Sequence, residues 1–119
     1  MEYIEFAVPS DAEMLDTLGV SPEAVAEDPT VRSFQLASES GDDDALFSYD
    51  VPGRSFRVQV SSHGVTRLDL LRESATQLSV SVENGEFRVR VMIRSSDLAG
   101  ELDVSVGSEI VVRDKLLMV

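Results

Sequence analysis

The side chains that could do acid–base or nucleophilic chemistry are few and isolated in this sequence. His63 is the only histidine, and because it follows Ser62 the pair could offer a base and a nucleophile. Neighbouring residues of an extended chain point in opposite directions, however, and nothing supplies a third triad member or an oxyanion hole. We therefore interpret His63 as a polar turn residue. The single lysine, Lys115, has no motif around it that would support Schiff-base or phosphoryl chemistry.

Three consecutive aspartates, Asp42, Asp43 and Asp44, offer the carboxylate oxygens that Ca²⁺ and Mg²⁺ prefer. An EF-hand places its acids at alternate positions with a glycine inside the loop, whereas here Gly41 precedes a continuous run. The single histidine and the absence of cysteine argue against a zinc site, and cysteine chemistry is excluded. We expect no catalytic residue, no metal and no cofactor.

The composition bounds the remaining possibilities. A chain of 119 residues forms one domain, 1–119, that is large enough to bury a core without disulfides. Its first residues carry no basic stretch followed by an apolar run, and no segment reaches the length of a bilayer span. We expect a cytoplasmic protein with no membrane contact.

The net charge of −12 comes entirely from the first 50 residues. That stretch holds thirteen acids and one base, whereas the remainder holds nine acids and nine bases. Adaptation to high salt would spread acids over the whole chain, so the split favours an acidic surface on a neutral body. Such a surface repels nucleic acid and attracts a basic partner. Seven residues are predicted to bind that partner: Asp16, Glu27, Asp28, Glu39, Asp42, Asp43 and Asp44.

The first 30 residues predict one strand and two short helices. Apolar residues alternate over residues 2–8, which indicates a strand. Ser10 or Asp11 can cap a helix that Gly19 ends. A second helix is expected over residues 21–28, which open with serine, proline and glutamate.

Everything after Thr30 is predicted to form strands, because neighbouring apolar runs match in register through their turns. Asn84 and Gly85 supply a type I′ hairpin, and further hairpins are expected at residues 51–54, 62–64 and 107–109. The predicted pairs are Val82–Phe87, Val80–Val89, Leu78–Val91, Ser81–Arg88, Ser79–Arg90, Tyr49–Phe56, Phe47–Val58, Val60–Thr66, Val58–Leu68, Phe56–Leu70, Arg57–Asp69, Val106–Ile110 and Val104–Val112. The fold class is α+β, mainly β: an antiparallel meander of about seven or eight strands, as a strongly curved sheet or barrel, with one or two short N-terminal helices.

Five arginines share the predicted polar face of this sheet: Arg57, Arg67, Arg88, Arg90 and Arg94. Such a stripe could hold phosphate, but the face lacks the aromatic side chains on which sheet-based RNA binders stack bases. We therefore expect no nucleic-acid partner. The arginines are interpreted as a solvated face, neutralised by Asp69, Glu83 and Glu86 or by the acidic N-terminal segment.

These observations predict a small intracellular protein-binding module whose acidic N-terminal half engages a basic partner. Its most concrete form is an inhibitor or immunity protein for a nuclease-type toxin, because a nuclease needs a basic groove that an acidic protein can block. An alternative is a small-molecule-binding β-barrel with a cavity lined by residues such as Phe47, Tyr49, Phe56 and Phe87. An uncharacterised enzyme is the third possibility.

Overall fold

A computed structural model of the chain describes residues 5–118, which form one helix and nine strands. In chain order these are α1 (Asp11–Leu18), β1 (Glu23–Val25), β2 (Asp28–Ala37), β3 (Asp43–Asp50), β4 (Ser55–Ser62), β5 (Val65–Arg72), β6 (Ala75–Glu83), β7 (Glu86–Arg94), β8 (Leu98–Val106) and β9 (Ile110–Met118). All neighbouring strands pair antiparallel. The predicted fold class, mainly β with a short N-terminal helix, is confirmed.

The meander is divided into two sheets. The first has the order β1-β2-β3-β4-β5 and the second has the order β6-β7-β8-β9. The division falls at the two residues after β5, where Ser74 adopts a left-handed backbone with φ 63°. The amide of Ala75 then donates a hydrogen bond of 2.9 Å to the carbonyl oxygen of Arg54, in the turn before β4, so β6 leaves the first sheet.

A single hydrophobic core lies between the two sheets and joins their inner faces. Phe47 of β3 is fully buried and stacks on Phe34 of β2, with ring centroids 4.8 Å apart. Val91 of β7 and Leu102 of β8 enter the same cluster from the second sheet. Residues 5–118 thus form two packed sheets and no closed barrel, and the barrel-enclosed ligand cavity considered above has no counterpart in this part of the chain.

Most predicted hairpin registers are confirmed. The pairs around Asn84 and Gly85, those between β3 and β4, and those between β8 and β9 form as predicted. The register between β4 and β5 is wrong by two residues, so that Val58 faces Leu70. There are two causes. His63 and Gly64 both adopt positive φ, 50° and 79°, which makes a two-residue loop and shifts the register by one residue. A bulge between Val60 and Ser61 shifts it by one more.

The second predicted helix, over residues 21–28, is wrong. Glu23–Val25 forms strand β1 instead, with Glu23 opposite Ser33 and Ala24 opposite Arg32. The segment lacks the capping box that stabilises α1, because Ala24 stands where Glu13 stands in α1, whereas the edge of β2 offers ready backbone partners. The Arg32 guanidinium also donates a 3.0 Å hydrogen bond to the carbonyl oxygen of Pro22, which holds the segment extended.

The N-terminal segment closes one side of the molecule. The predicted strand over residues 2–8 falls partly outside the described residues; within them, Phe6 is buried and Ala7 forms an isolated parallel bridge to Gln77. Ser10 then caps α1 by accepting a hydrogen bond of 3.1 Å from the Glu13 amide, as the sequence predicted. With eight residues, α1 falls well short of a bilayer span, and the described region holds no longer helix.

Candidate functional site: an acidic end of the two-sheet body

The structure separates the seven acids predicted to bind a partner. Strand β2 is ten residues long and therefore spans about 30 Å. Glu27 and Asp28 lie where β2 begins, whereas four of the seven lie beyond its other end, and Asp16 is on α1. Only Glu39, Asp42, Asp43 and Asp44 are brought together, in the turn between β2 and β3 and at the start of β3. One continuous surface of all seven acids does not form.

Four hairpin turns, two from each sheet, meet at the end of the molecule where those four acids lie. The His63 amide donates a hydrogen bond of 2.8 Å to the carbonyl oxygen of Asp42, which joins the two turns of the first sheet. The Glu39 amide donates one of 2.9 Å to the carbonyl oxygen of Gly107, which joins the first sheet to the β8–β9 turn. Because Phe87 pairs with Val106, the β6–β7 turn lies beside it.

These turns bring three more acids to the same surface. Glu83 and Glu86 flank the β6–β7 turn, and Glu109 lies in the β8–β9 turn. A Cβ added to Gly107 would lie 2.7 Å from Cγ of Glu86, so these two turns are in contact. We define the acidic end by seven residues: Glu39, Asp42, Asp43, Asp44, Glu83, Glu86 and Glu109.

Little positive charge offsets the acidic end. The guanidinium of Arg88 contacts Glu83 at 2.6 Å and Asp103 at 2.5 Å, so it is shared with a second carboxylate. Nδ1 of His63 lies 3.9 Å from Oδ1 of Asp42, and both side chains are exposed. An excess of carboxylates at one end of the molecule creates a negative potential that attracts a basic surface and repels nucleic acid. Within residues 5–118 no three His, Cys, Asp or Glu side chains converge as metal ligands would.

The fold of this chain is similar to that of one chain in a solved toxin–immunity protein complex. No protein-family model matches the chain, and no curated protein is similar to it in sequence. A solved structure has a similar fold: a chain of the contact-dependent growth inhibition toxin–immunity protein complex from Klebsiella pneumoniae 342. The TM-score is 0.79 at 13% identity, and the match covers 97% of this chain and 100% of that chain. At this identity the similarity shows the fold.

Sequence reasoning missed Glu83, Glu86 and Glu109. A partial signal was present, because alternate turns of a meander lie at the same end, and this places the 84–85 and 107–109 turns together. What the sequence did not indicate is that these turns meet those of the first sheet. That contact requires the chain to be divided into two packed sheets.

The predicted arginine stripe is also divided. Arg57 and Arg67 belong to the first sheet, whereas Arg88, Arg90 and Arg94 belong to the second. The predicted Arg57–Asp69 pair forms with bonds of 2.8 and 2.6 Å, although it is diagonal in the observed register. The hydrogen bonds from Arg57 hold the pKa of Asp69 below its usual range.

The arginines of the second sheet are also neutralised within their own sheet. Nε of Arg90 lies 2.7 Å from Glu101, and both Arg88 and Arg90 contact the buried carboxylate of Asp103. Hydrogen bonds to Glu83 and Asp103 raise the pKa of Arg88. Within the described region, the acidic N-terminal segment forms its ion pair between Asp11 and Arg32, and not with these arginines.

Proposed function

We propose that this protein is an immunity-type binding protein that neutralises a basic, nuclease-type toxin by placing its acidic end over the toxin's substrate groove. The observation that carries the proposal is the meeting of four turns, three of them acidic, at one end of a fold similar to that of a chain in a toxin–immunity complex. The acidic end presents carboxylates where a nucleic-acid backbone would present phosphates. The protein acts by covering the groove, in the cytoplasm where the toxin's substrate lies.

The negative charge of this chain favours the immunity role over the toxin role. A nuclease has to attract a polyanion, and its binding surface is accordingly basic. This chain carries a net charge of −12, and its acidic end repels a phosphate backbone. The same charge accelerates association with a basic partner, which suits an inhibitor that has to bind before the toxin acts.

The first test is a growth assay with the product of the neighbouring gene as the toxin. Cells that express the neighbouring product alone should stop growing, and co-expression of this chain should restore growth. Arrest of growth by this chain alone would identify it as the toxin. Failure of the pair to bind, with no protection, would overturn the proposal.

A binding assay on the same pair tests the role of the acidic end. The variant D42N/D43N/D44N removes three charges from the acidic end, and E27Q/E73Q/D97N removes three from turns at the opposite end. We expect the first to lower the association rate constant about tenfold at low salt and to weaken its salt dependence. The second should change the rate much less. Equal effects of the two variants would show that net charge, and not the acidic end, steers association.

A further inference from the structure

The outer face of the first sheet is nearly uncharged at its centre. The registers align its outward residues in rows across the strands: Gln35, Leu46, Gln59 and Asp69 form one row, and Ser33, Ser48, Arg57 and Leu71 form the next. The two charges that β2–β5 contribute to these rows, Arg57 and Asp69, neutralise each other, and Glu23 of β1 extends the second row at the edge of the sheet. The centre of the face is therefore made of serine, glutamine and leucine.

The outer face of the second sheet is, by contrast, densely charged. Nine charged side chains lie on it: Glu83, Glu86, Arg88, Arg90, Arg94, Glu101, Asp103, Arg113 and Lys115. Charged residues are depleted from the cores of protein interfaces, because their desolvation is costly and their long side chains lose entropy when ordered. By this criterion the centre of the first sheet's outer face is the better candidate for an interface core, although a groove of about 510 Å³ beside Met92 and Leu117 lies on the outer face of the second sheet.

Leu46 forms a ridge between two grooves on the first sheet. It is 37% exposed, while its neighbours Ala45 and Phe47 are buried on the inner face. A groove of about 450 Å³ lies on one side and has Glu23 in its lining. A groove of about 250 Å³ lies on the other side and has Asp44 in its lining. Each groove thus combines the same aliphatic wall with one acid.

Neither acid is engaged by the rest of the described chain. Within residues 5–118 the carboxylates of Glu23 and Asp44 accept no hydrogen bond and form no ion pair. A third groove, of about 260 Å³, also has an apolar wall, Leu71, but it differs from the first two: its acid, Asp50, accepts a hydrogen bond from the Gly53 amide, and Arg57 lines the same groove. An aliphatic wall ending at a free carboxylate is complementary to an arginine side chain, which has an apolar stem and a cationic head.

We infer that the outer face of the first sheet is a docking surface for a basic protein, and that arginine side chains of this partner lie in the two grooves on either side of Leu46. The guanidinium groups bond to Glu23 and Asp44, and their remaining N–H groups reach the amide oxygens of Gln35 and Gln59. The inference rests on the proposed function, since the toxin supplies the basic surface.

Asp44 connects this docking surface to the acidic end, because it belongs to both. It lies at the start of β3, opposite Ala37 and Ser61, in the row next to that of Leu46. The partner therefore contacts the region where the outer face of the first sheet meets the acidic end. The acidic end attracts it over a distance, and the uncharged face with its grooves holds it by short-range contacts.

The matched pair Leu46 and Val111 allows a controlled test with the toxin complex. Both side chains are 37% exposed at the outer surface of a strand, Leu46 on the first sheet and Val111 on the second. We expect L46A to increase the dissociation rate constant about tenfold and L46K to abolish measurable binding, whereas V111A and V111K leave it within about twofold. Equal effects of L46K and V111K on a folded protein would overturn the docking surface.

A second test does not need the toxin. The probe is N-acetylarginine amide, titrated into the ¹⁵N-labelled chain, with N-acetylcitrulline amide as the uncharged control. We expect shifts of the Glu23, Asp44 and Leu46 amide signals with the arginine compound, and their loss in E23Q/D44N. Shifts confined to the turns of the acidic end would overturn the grooves as arginine sites. Shifts at the grooves together with no toxin binding would leave the grooves standing and overturn the proposed function.

Discussion

The backbone amide of Glu39 donates a hydrogen bond of 2.9 Å to the carbonyl oxygen of Gly107. The two residues are in turns of different sheets, so this bond fixes the turns of the first sheet against those of the second. It makes a single acidic end from side chains that are far apart in the sequence. Backbone bonds hold these turns in place, and of the carboxylates at the acidic end Glu83 is bonded to Arg88.

Neutralising Asp43 and Asp44 should not weaken the fold. Within the part of the chain that the structure describes, their carboxylates accept no hydrogen bond, whereas the Asp43 amide is held by Oγ of Ser38 at 3.2 Å. We expect D43N/D44N to raise the free energy of unfolding by up to about 1 kcal/mol at low salt, because like-charge repulsion is relieved. Urea denaturation at low and high salt measures this. A loss of stability that persists at high salt would contradict it.

Gly100 should be far less replaceable than Gly107. A Cβ at Gly100 would overlap the carbonyl oxygen of Lys115, which is backbone of the neighbouring strand and has little freedom to move. We expect G100A to destabilise the protein by about 1–3 kcal/mol. At Gly107 the added Cβ meets the flexible side chain of Glu86, so G107A should cost less.

The E86A variant provides a control for the predicted cost of G107A. Removing the Glu86 side chain removes the obstacle, so the cost of G107A should fall in an E86A background. Chemical denaturation of the four proteins gives the coupling energy. Additive costs of G107A and E86A would show that the two side chains do not compete for space.

The cap of α1 should contribute measurably to stability. Oγ of Ser10 accepts a hydrogen bond of 3.1 Å from the Glu13 amide, and the Glu13 carboxylate accepts one of 3.3 Å from the Ser10 amide. We expect S10A to lower the free energy of unfolding by about 1 kcal/mol and S10G by only a few tenths. Thermal and urea unfolding of both variants measure the difference. The prediction is wrong if alanine and glycine cost the same.

The Arg57–Asp69 pair should make stability depend on acid pH. Hydrogen bonds from Arg57 lower the pKa of Asp69 in the folded state. A carboxylate with a depressed folded-state pKa stabilises the fold above its unfolded pKa, and this contribution is lost as the pH falls through the folded value. We expect R57Q to return the pKa of Asp69 towards its ordinary value and to flatten the acid side of the stability curve.

NMR titration of the Asp69 side-chain carboxyl, together with unfolding between about pH 2 and 6, checks both parts. The control is R113Q, which removes an arginine from the outer face of the other sheet. An unchanged Asp69 pKa in R57Q would show that the observed ion pair is not populated in solution.

Turn residues and the alternation of apolar side chains along the chain predicted the hairpins well. Asn84 and Gly85 fix a two-residue turn, and alternation of apolar residues then sets the pairs from Val82–Phe87 to Leu78–Val91, which is why these β6–β7 pairs were right. The same rules failed at His63, where a non-glycine residue adopts a positive φ and shortens the loop. They failed again at residues 21–28, where a partner strand competed with a weak helix signal.

The sequence by itself determined the segregation of charge, the strand content and most registers, because these depend on residues that are close along the chain. The tertiary structure decided which acids meet. The length of β2 separates Glu27 and Asp28 from Asp42–Asp44 by about 30 Å. The break at Ser74, conversely, folds the second sheet over the first and brings Glu86 and Glu109 to them. Distances between turns of different sheets depend on how the sheets pack, and no local pattern encodes that packing.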